Sequence, residues 1–455
     1  MAAGAGPDFL GRLHESLLTA ADRKTRGAFY TPPAVADHLV GWALAGLDDP
    51  VVCDPACGGG AFLLAAARAG ARRLVAMDID PLAVAVCEAA LWLAGADAEV
   101  VVGDALVDAW PGEVDVVVGN PPFLSQLDAD TARSRERAVA TGAEGYVDEA
   151  ALFLLAAARR SRHRVAMLQP ESVVAVASAA AVRAELGPSL VDVWVPDGAV
   201  FDGAAVRVVG VLLDRDTRSS TGERWAPFLA SARGVPDVTF TAHGTLGQAC
   251  DVIAGFRDEY YGLAPHVGED RAGSAPLITS GLIDAGVCLW GRAPARFGRR
   301  SWSAPAVDVE GLASSSLAPW AARVRVPKVL VATQTRVIEA VADVSGEWVP
   351  CTPVLTVVPR ALDLWHVLAV LLAPPVTAWA LHEASGSALS ADAVKLSASQ
   401  VRRIPLPAPG PDWDDAARAL QRDDVDGAAE AMGRAYGIDV LDWWRARLAY
   451  GRRRG

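Results

Sequence analysis

The chain has 455 residues, enough for two domains with separate cores, with 52% hydrophobic residues against 21% charged ones. The apolarity comes from alanine and valine in short runs, and the most apolar late stretch, Leu364 to Leu381, is broken by His366, Pro374 and Pro375, so a packed helix and turn is expected and not a membrane span. A formal net charge of -12 excludes a uniformly basic nucleic-acid binder; any contact with a polyanion must use a local basic face.

In chain order, Asp8, Arg12, His14 and Glu15 interrupt the start, so no secretory signal is expected and the chain reads as a soluble cytoplasmic protein. Six cysteines, Cys53, Cys57, Cys87, Cys250, Cys288 and Cys351, form no Cys-x-x-Cys pair and have no neighbouring histidines, which points to reduced thiols and to no metal site. Tyr30-Thr31-Pro32-Pro33 feeds a predicted helix from Ala34 to Ala45, for which Thr31 is a possible cap.

Val51 to Asp54 reads as a strand running into Pro55-Ala56-Cys57-Gly58-Gly59-Gly60 and then an alanine-rich helix. Glycines at a strand-to-helix turn let the backbone pass close to a nucleoside. Leu74 to Asp78 is a second strand ending in a carboxylate, with Ile79, Asp80 and Pro81 following, at the spacing of a ribose-binding acid. Val100 to Val102 is a third, leading to Gly103, Asp104 and Ala105; Asp104 suits either an adenine amino group or a helix cap. The fourth, Val116 to Val118, stops at Gly119-Asn120-Pro121-Pro122-Phe123. The prolines cannot extend the strand, so Asn120 is held at its carboxyl end, where open α/β sheets place their chemistry. The Asn120 amide oxygen and the Pro121 carbonyl offer two acceptors to one exocyclic amino group, and Phe123 offers a stacking face; taken alone, Asn-Pro is also a common turn.

Asn120-Pro121-Pro122-Phe123 resembles the Asn/Asp/Ser-Pro-Pro-aromatic signature of S-adenosylmethionine-dependent amino-methyltransferases, and the order of segments over the first half of the chain resembles the gamma-order adenine N6 DNA methyltransferases. The resemblance implies a class I methyltransferase fold, doubly wound around a mostly parallel seven-stranded sheet with an antiparallel hairpin, over residues 1–230, and an α+β target-recognition domain over residues 231–455. It implies S-adenosylmethionine as cofactor, held by Tyr30, Thr31, Asp54, Pro55, Ala56, Cys57, Gly58, Gly60, Asp78, Ile79, Asp104, Ala105 and Asn120. Within that set Thr31, Ala56 and Gly58 take the methionine end, Asp78 the ribose and Asp104 the adenine. Asn120, Pro121, Pro122 and Phe123 would form the catalytic loop. The alternatives are a protein glutamine N5-methyltransferase, which would lack a large C-terminal domain, and a non-catalytic DNA-binding subunit, against which the intact Asn120 and Asp54 argue.

Beyond the catalytic loop, Arg133, Arg135 and Arg137 lie close enough in sequence to touch a target strand. A helix is predicted from Tyr146 to Arg160, and strands at Val165 to Gln169, Val191 to Val195 and Val206 to Leu213. Ala175 to Val182 holds only small residues, so a second stacking ring must come from elsewhere, or Phe123 stacks alone. Composition shifts between Asp214 and Val235, where the domain boundary is expected. Arg292, Arg296, Arg299, Arg300, Arg323, Arg325, Lys328 and Arg336, interleaved with Trp290, Phe297, Trp302 and Trp320, are the candidate DNA-facing surface. Asp412 to Tyr450 reads as terminal helices, with Trp443, Trp444 and Leu448 packing. The expected partner is double-stranded DNA, with any cleavage belonging to a separate endonuclease or defence-system subunit, no membrane, and a monomeric chain.

Overall fold

The computed structural model describes residues 7–17, 30–123, 137, 148–201, 206–219, 222–387 and 393–452. The chain divides into two compact units, Met1–Arg233 and Gly234–Gly455.

In the first unit the elements run α1 (Asp8–Leu17), α2 (Pro33–Leu44), β1 (Val51–Asp54), α3 (Ala61–Arg68), β2 (Arg73–Asp78), α4 (Pro81–Leu93), β3 (Ala98–Val102), β4 (Val114–Gly119), α5 (Glu149–Arg160), β5 (Ser161–Pro170), α6 (Ala180–Leu186), β6 (Leu190–Trp194), β7 (Val208–Asp214) and α7 (Ala226–Ala232). The sheet order is β3-β2-β1-β4-β5-β7-β6. Strands β1 to β5 pair in parallel, whereas β7 is antiparallel to both β5 and β6. This is the class I methyltransferase arrangement.

The apolar runs are continuous because the central strands are covered on both faces. Val51, Cys53, Val75, Met77, Val117, Val165 and Met167 pack on one side with Leu152, Phe153 and Leu154 of α5. Their alternates Val52, Leu74, Ala76, Val116, Val118, Ala166 and Leu168 pack on the other with Leu39 and Val40 of α2, Phe62 and Leu63 of α3 and Leu91 of α4. The strand order reverses where β1 lies beside β4, with Val52 opposite Val116 and Cys53 opposite Val117, and that reversal opens a crevice at the strands' carboxyl ends.

Helix α5 begins at Glu149, capped by the Asp148 carboxylate, which accepts from Ala150 N. The earlier start expected at Tyr146 lies outside the described residues. The second unit is α+β. One antiparallel sheet orders Ala340–Asp343, Lys328–Val331, Leu355–Pro359 and Cys250–Ala254. A second sheet contains Ser274–Ile278 and Pro305–Asp308. The apolar stretch from Leu364 forms helices Leu364–Leu372 and Pro374–Ala384, bent by 61° at their junction. Among the described residues no single helix is long and apolar enough to cross a membrane. Helices Pro411–Leu420, Val425–Tyr436 and Leu441–Arg452 close the chain, and Trp444 is buried against Val337 and Ala429.

Candidate active site at the reversal of the sheet

Asp54 ends β1 only 1% exposed, with Oδ1 accepting a hydrogen bond from Ala56 N at 3.1 Å. Burial, aided by the nearby Asp78 carboxylate, pushes its pKa up to about 8 against the pull of the Ala56 amide. The loop beyond it is clipped to the end of β2: Cys57 N donates to Met77 O at 2.8 Å and Gly58 N to Asp78 Oδ2 at 2.9 Å. Gly60 sits at φ 86°, and a Cβ there would lie 2.9 Å from Cys87 Sγ. Gly59 meets Gly11 of α1 so closely that a Cβ on it would come within 2.5 Å of Gly11 Cα. The loop therefore has room for backbone only on that side.

The Asp78 carboxylate also accepts from Asp80 N at 2.9 Å, while Asp80 in turn caps α4 by accepting from Leu82 N. Burial raises the Asp78 pKa, and the amide bonds moderate the rise. Beside it Ile79 is 42% exposed, an apolar surface at a strand end that otherwise presents carboxylates.

Asn120 follows β4, and its Nδ2 donates to Thr31 Oγ1 at 3.1 Å. Thr31 is buried and does not cap α2: that helix starts behind Pro32 with no side-chain cap. The hydroxyl is directed across the sheet's end to the amide instead. A Cβ on Gly119 would stand 2.8 Å from Asp54 Oδ1, so the glycine before Asn120 is what allows β4 to run flush against the buried acid. Three segments far apart in sequence, at Thr31, Asp54 and Asn120, thus converge within hydrogen-bonding or contact range.

Phe123 lies 6.2 Å from Phe201, ring centroid to ring centroid, at an interplanar angle of 55°. Phe201 follows β6, in the connection to β7, and the sequence reading passed it over; its aromatic side chain between glycines Gly198 and Gly203 was the available signal.

Residues 5–185 match the family model described as N-6 DNA Methylase. That match lies within the N-terminal unit. The type II methyltransferase M.VspI of Vibrio sp. is 26% identical over 215 residues, 46% of this chain and 52% of that protein. M.XamI of Xanthomonas campestris pv. amaranthicola, also a type II methyltransferase, is 34% identical over 107 residues, 22% and 20% of the two chains. Ribosomal RNA large subunit methyltransferase G of Streptomyces griseus subsp. griseus is 42% identical over 88 residues, 18% and 23%. The chain thus spans about half the length of the first of these relatives and less of the others.

In this unit Asp104 departs from the simplest expectation. Its Oδ1 accepts from Leu106 N at 3.2 Å, and its Oδ2 takes Arg137 Nε at 2.8 Å. Arg137 also donates Nη1 to Glu149 Oε2 at 2.7 Å, within the protein. Arg137 is therefore no surface contact for DNA, since its guanidinium bridges two acids beneath the surface; Arg133 and Arg135 lie outside the described residues. Ala105 is buried and packs in the core.

The basic stretch of the second unit separates into unlike parts. Lys328 is a correction: it is 0% exposed and paired with Asp343, itself 1% exposed, across adjacent strands. Burial lowers its pKa while Asp343 opposes the fall, so this ammonium holds the sheet together and cannot reach a phosphate. Arg325 and Arg336 are half-buried, and Arg323 is exposed on helix Ala318–Val324. Arg292, Arg296, Arg299 and Arg300 are exposed. The interleaved aromatics are structural: Phe297 is buried, Trp290 Nε1 donates to Pro305 O at 2.7 Å, and Trp302 Nε1 donates to Phe297 O at 3.0 Å.

Proposed function

We propose that the chain is a site-specific DNA methyltransferase that transfers a methyl group from S-adenosylmethionine to the N6 amino group of adenine. In this reading residues 1–230 are the catalytic domain and residues 231–455 recognise the target. The observation that carries it is the hydrogen bond from Asn120 to Thr31 at the reversal of the sheet, which orients an amide at a strand end beside the glycine loop. Its partners are double-stranded DNA in the cytoplasm and, in a restriction system, a separate endonuclease.

When bound, S-adenosylmethionine supplies an electrophilic methyl group on sulfur. The glycine loop fits such a ligand: its backbone is free of side chains, Asp78 is fixed by two amides with lone pairs left for ribose hydroxyls, and Ile79 presents an apolar face. Thr31, Ala56 and Gly58 would hold the methionine end, with Tyr30, Pro55, Cys57 and Gly60 shaping the loop. Asp104 has acceptor capacity left for an adenine amino group even with Arg137 in place.

For the target base, adenine must leave the duplex stack to reach a strand end. Phe123 and Phe201 would flank the extruded ring, and Pro122 stiffens the loop that carries Phe123. The Asn120 side-chain carbonyl and the Pro121 backbone carbonyl would accept hydrogen bonds from the two amino N–H groups, turning the nitrogen lone pair out of conjugation and toward the methyl group, and the one proton displaced from N6 on methylation would pass to solvent. Positioning and local electrostatics then supply most of the rate, with no covalent intermediate.

Asn120→Ala tests this directly. Loss of one charge-stabilising group of this kind costs on the order of 10²- to 10³-fold in turnover, while the loss of S-adenosylmethionine affinity by calorimetry should be much smaller, because the amide acts chiefly on the substrate amine. Normal turnover by the variant would remove the mechanism. A ribosomal RNA base is the second reading, favoured by the 42% identity over 88 residues with the large-subunit rRNA enzyme; methyl transfer to RNA and not to duplex DNA would select it.

A further inference from the structure

We infer that one β-hairpin of the second unit, Ala295–Phe297 paired with Arg300–Trp302, is the element that enters a groove of duplex DNA, with Arg299 at its tip contacting base edges and Arg296 and Arg300 holding phosphates. The inference rests on the proposed action on DNA and narrows it to a single recognition element.

The hairpin is short and regular. Ala295 pairs with Trp302, Arg296 with Ser301 and Phe297 with Arg300, leaving Gly298 and Arg299 as a two-residue turn. Both turn residues have positive φ, 59° and 63°. Two-residue hairpin turns of this hand favour Asn or Gly at both positions, because a side chain in the left-handed region costs roughly 1 kcal/mol. A long-chain cation held at that position is a local cost with no packing return, since Arg299 is exposed. Such outliers point to function when the surroundings enforce them.

The surroundings do enforce it. Phe297 is buried against Tyr260, ring centroids 4.9 Å apart, and the Tyr260 hydroxyl accepts from Gly298 N at 3.2 Å, so the turn itself is strutted from helix Arg257–Leu263. Trp302 Nε1 bonds to the Phe297 carbonyl across the ribbon. A rigid base thus carries a polar tip.

Charge supports the same partner. From Ala285 to Val307 the sequence contains Arg292, Arg296, Arg299 and Arg300 and no acid, in a chain of net charge -12. Among the described residues none of these four side chains has an acidic partner, whereas Arg360, Arg403, Arg434 and Arg445 of the same unit each have one. A two-stranded ribbon fits the major groove of B-DNA, about 12 Å wide, and arginine at its tip matches the O6 and N7 acceptors of guanine. The deep, narrow major groove of an RNA duplex would not admit it.

Arg299→Gly in the full chain separates recognition from folding, because glycine is at ease at this φ and the fold should be as stable as before or more so. Binding to random-sequence duplex DNA is measured by fluorescence anisotropy without cofactor, and the methylated motif is read by sequencing. The expected result is an unchanged or raised melting temperature together with a motif relaxed at one position. Arg296→Gln combined with Arg300→Gln should weaken binding to all duplexes roughly tenfold or more and lower the salt slope by about two, whereas Arg323→Gln on its separate helix should do neither. Unchanged affinity and motif in the hairpin variants, or equal affinity of the wild-type chain for DNA and RNA duplexes, would overturn the inference. A wild-type chain that binds DNA through the hairpin yet leaves no methylated base would keep it and remove the proposed activity instead.

Discussion

The sheet reversal of the first unit and the arginine stretch of the second illustrate opposite relations between sequence and space. At the reversal, Thr31, Asp54, Asp78 and Asn120 are scattered over ninety positions, yet hydrogen bonds and glycine contacts bring their segments together. In the arginine stretch, cations close in sequence end in different places: Lys328 inside a sheet, Arg323 on a helix, Arg299 at a hairpin tip. Spaced motifs tied to strand ends are constrained by topology to meet, while a run of like charges carries no such constraint. Charge clusters must therefore be sorted by burial before they are read as binding surfaces.

That contrast is most sharply tested at Lys328. Lys328→Ala leaves Asp343 buried without its cation and should cost about 3 to 5 kcal/mol in chemical denaturation, with the salt dependence of DNA binding unchanged; a stable variant with a flattened salt slope would return Lys328 to the DNA surface. Next comes Asp54, whose pKa of about 8 lies above its ordinary 3.8. The native state keeps a proton that the unfolded chain releases from about pH 4 upward, so stability should fall as pH rises toward 8 and level off above it, by up to about 1.4 kcal/mol per pH unit. Asp54→Asn should flatten that slope in denaturant midpoints taken between pH 5 and 9, and an unchanged slope would assign it to other groups.

Asp78→Ala removes the clip on the glycine loop together with the expected ribose acceptor. Titration calorimetry should register a loss of on the order of 1.5 to 3 kcal/mol in S-adenosylmethionine affinity; undiminished binding would place the cofactor elsewhere. The smallest effect is expected at Phe201. Phe201→Leu preserves apolar volume but removes an aromatic face worth about 0.5 to 1.5 kcal/mol, so kcat/KM on DNA should drop roughly twofold to tenfold with cofactor affinity intact. A drop confined to cofactor binding would separate Phe201 from the target base.

Much of the first unit was legible because its central strands are covered on both faces: Val51 to Cys53 and Val116 to Val118 announce themselves as apolar runs, and prolines or glycines mark where each stops. Phe201 was not, because its approach to Phe123 depends on β7 inserting antiparallel between β5 and β6, which no local pattern displays. Gly11 was missed for a similar reason: its value lies in a backbone contact with Gly59, forty-eight positions away. The pairing of Lys328 with Asp343 is a register fact, set by which residues face each other on neighbouring strands. Thr31 had two readings, cap or cofactor-holding group, and the structure removes the first, since α2 has no side-chain cap and the hydroxyl accepts from Asn120.

The central claim is that the Asn120 site methylates adenine N6 in duplex DNA. Its most direct test is nucleoside mass spectrometry on duplex DNA incubated with the purified full chain and isotopically methyl-labelled S-adenosylmethionine. Labelled N6-methyldeoxyadenosine with the wild-type chain, forming on the order of 10²- to 10³-fold more slowly with Asn120→Ala, is the expected result. Label found only on cytosine, on RNA or on protein, or adenine labelling at an undiminished rate after the substitution, would contradict it.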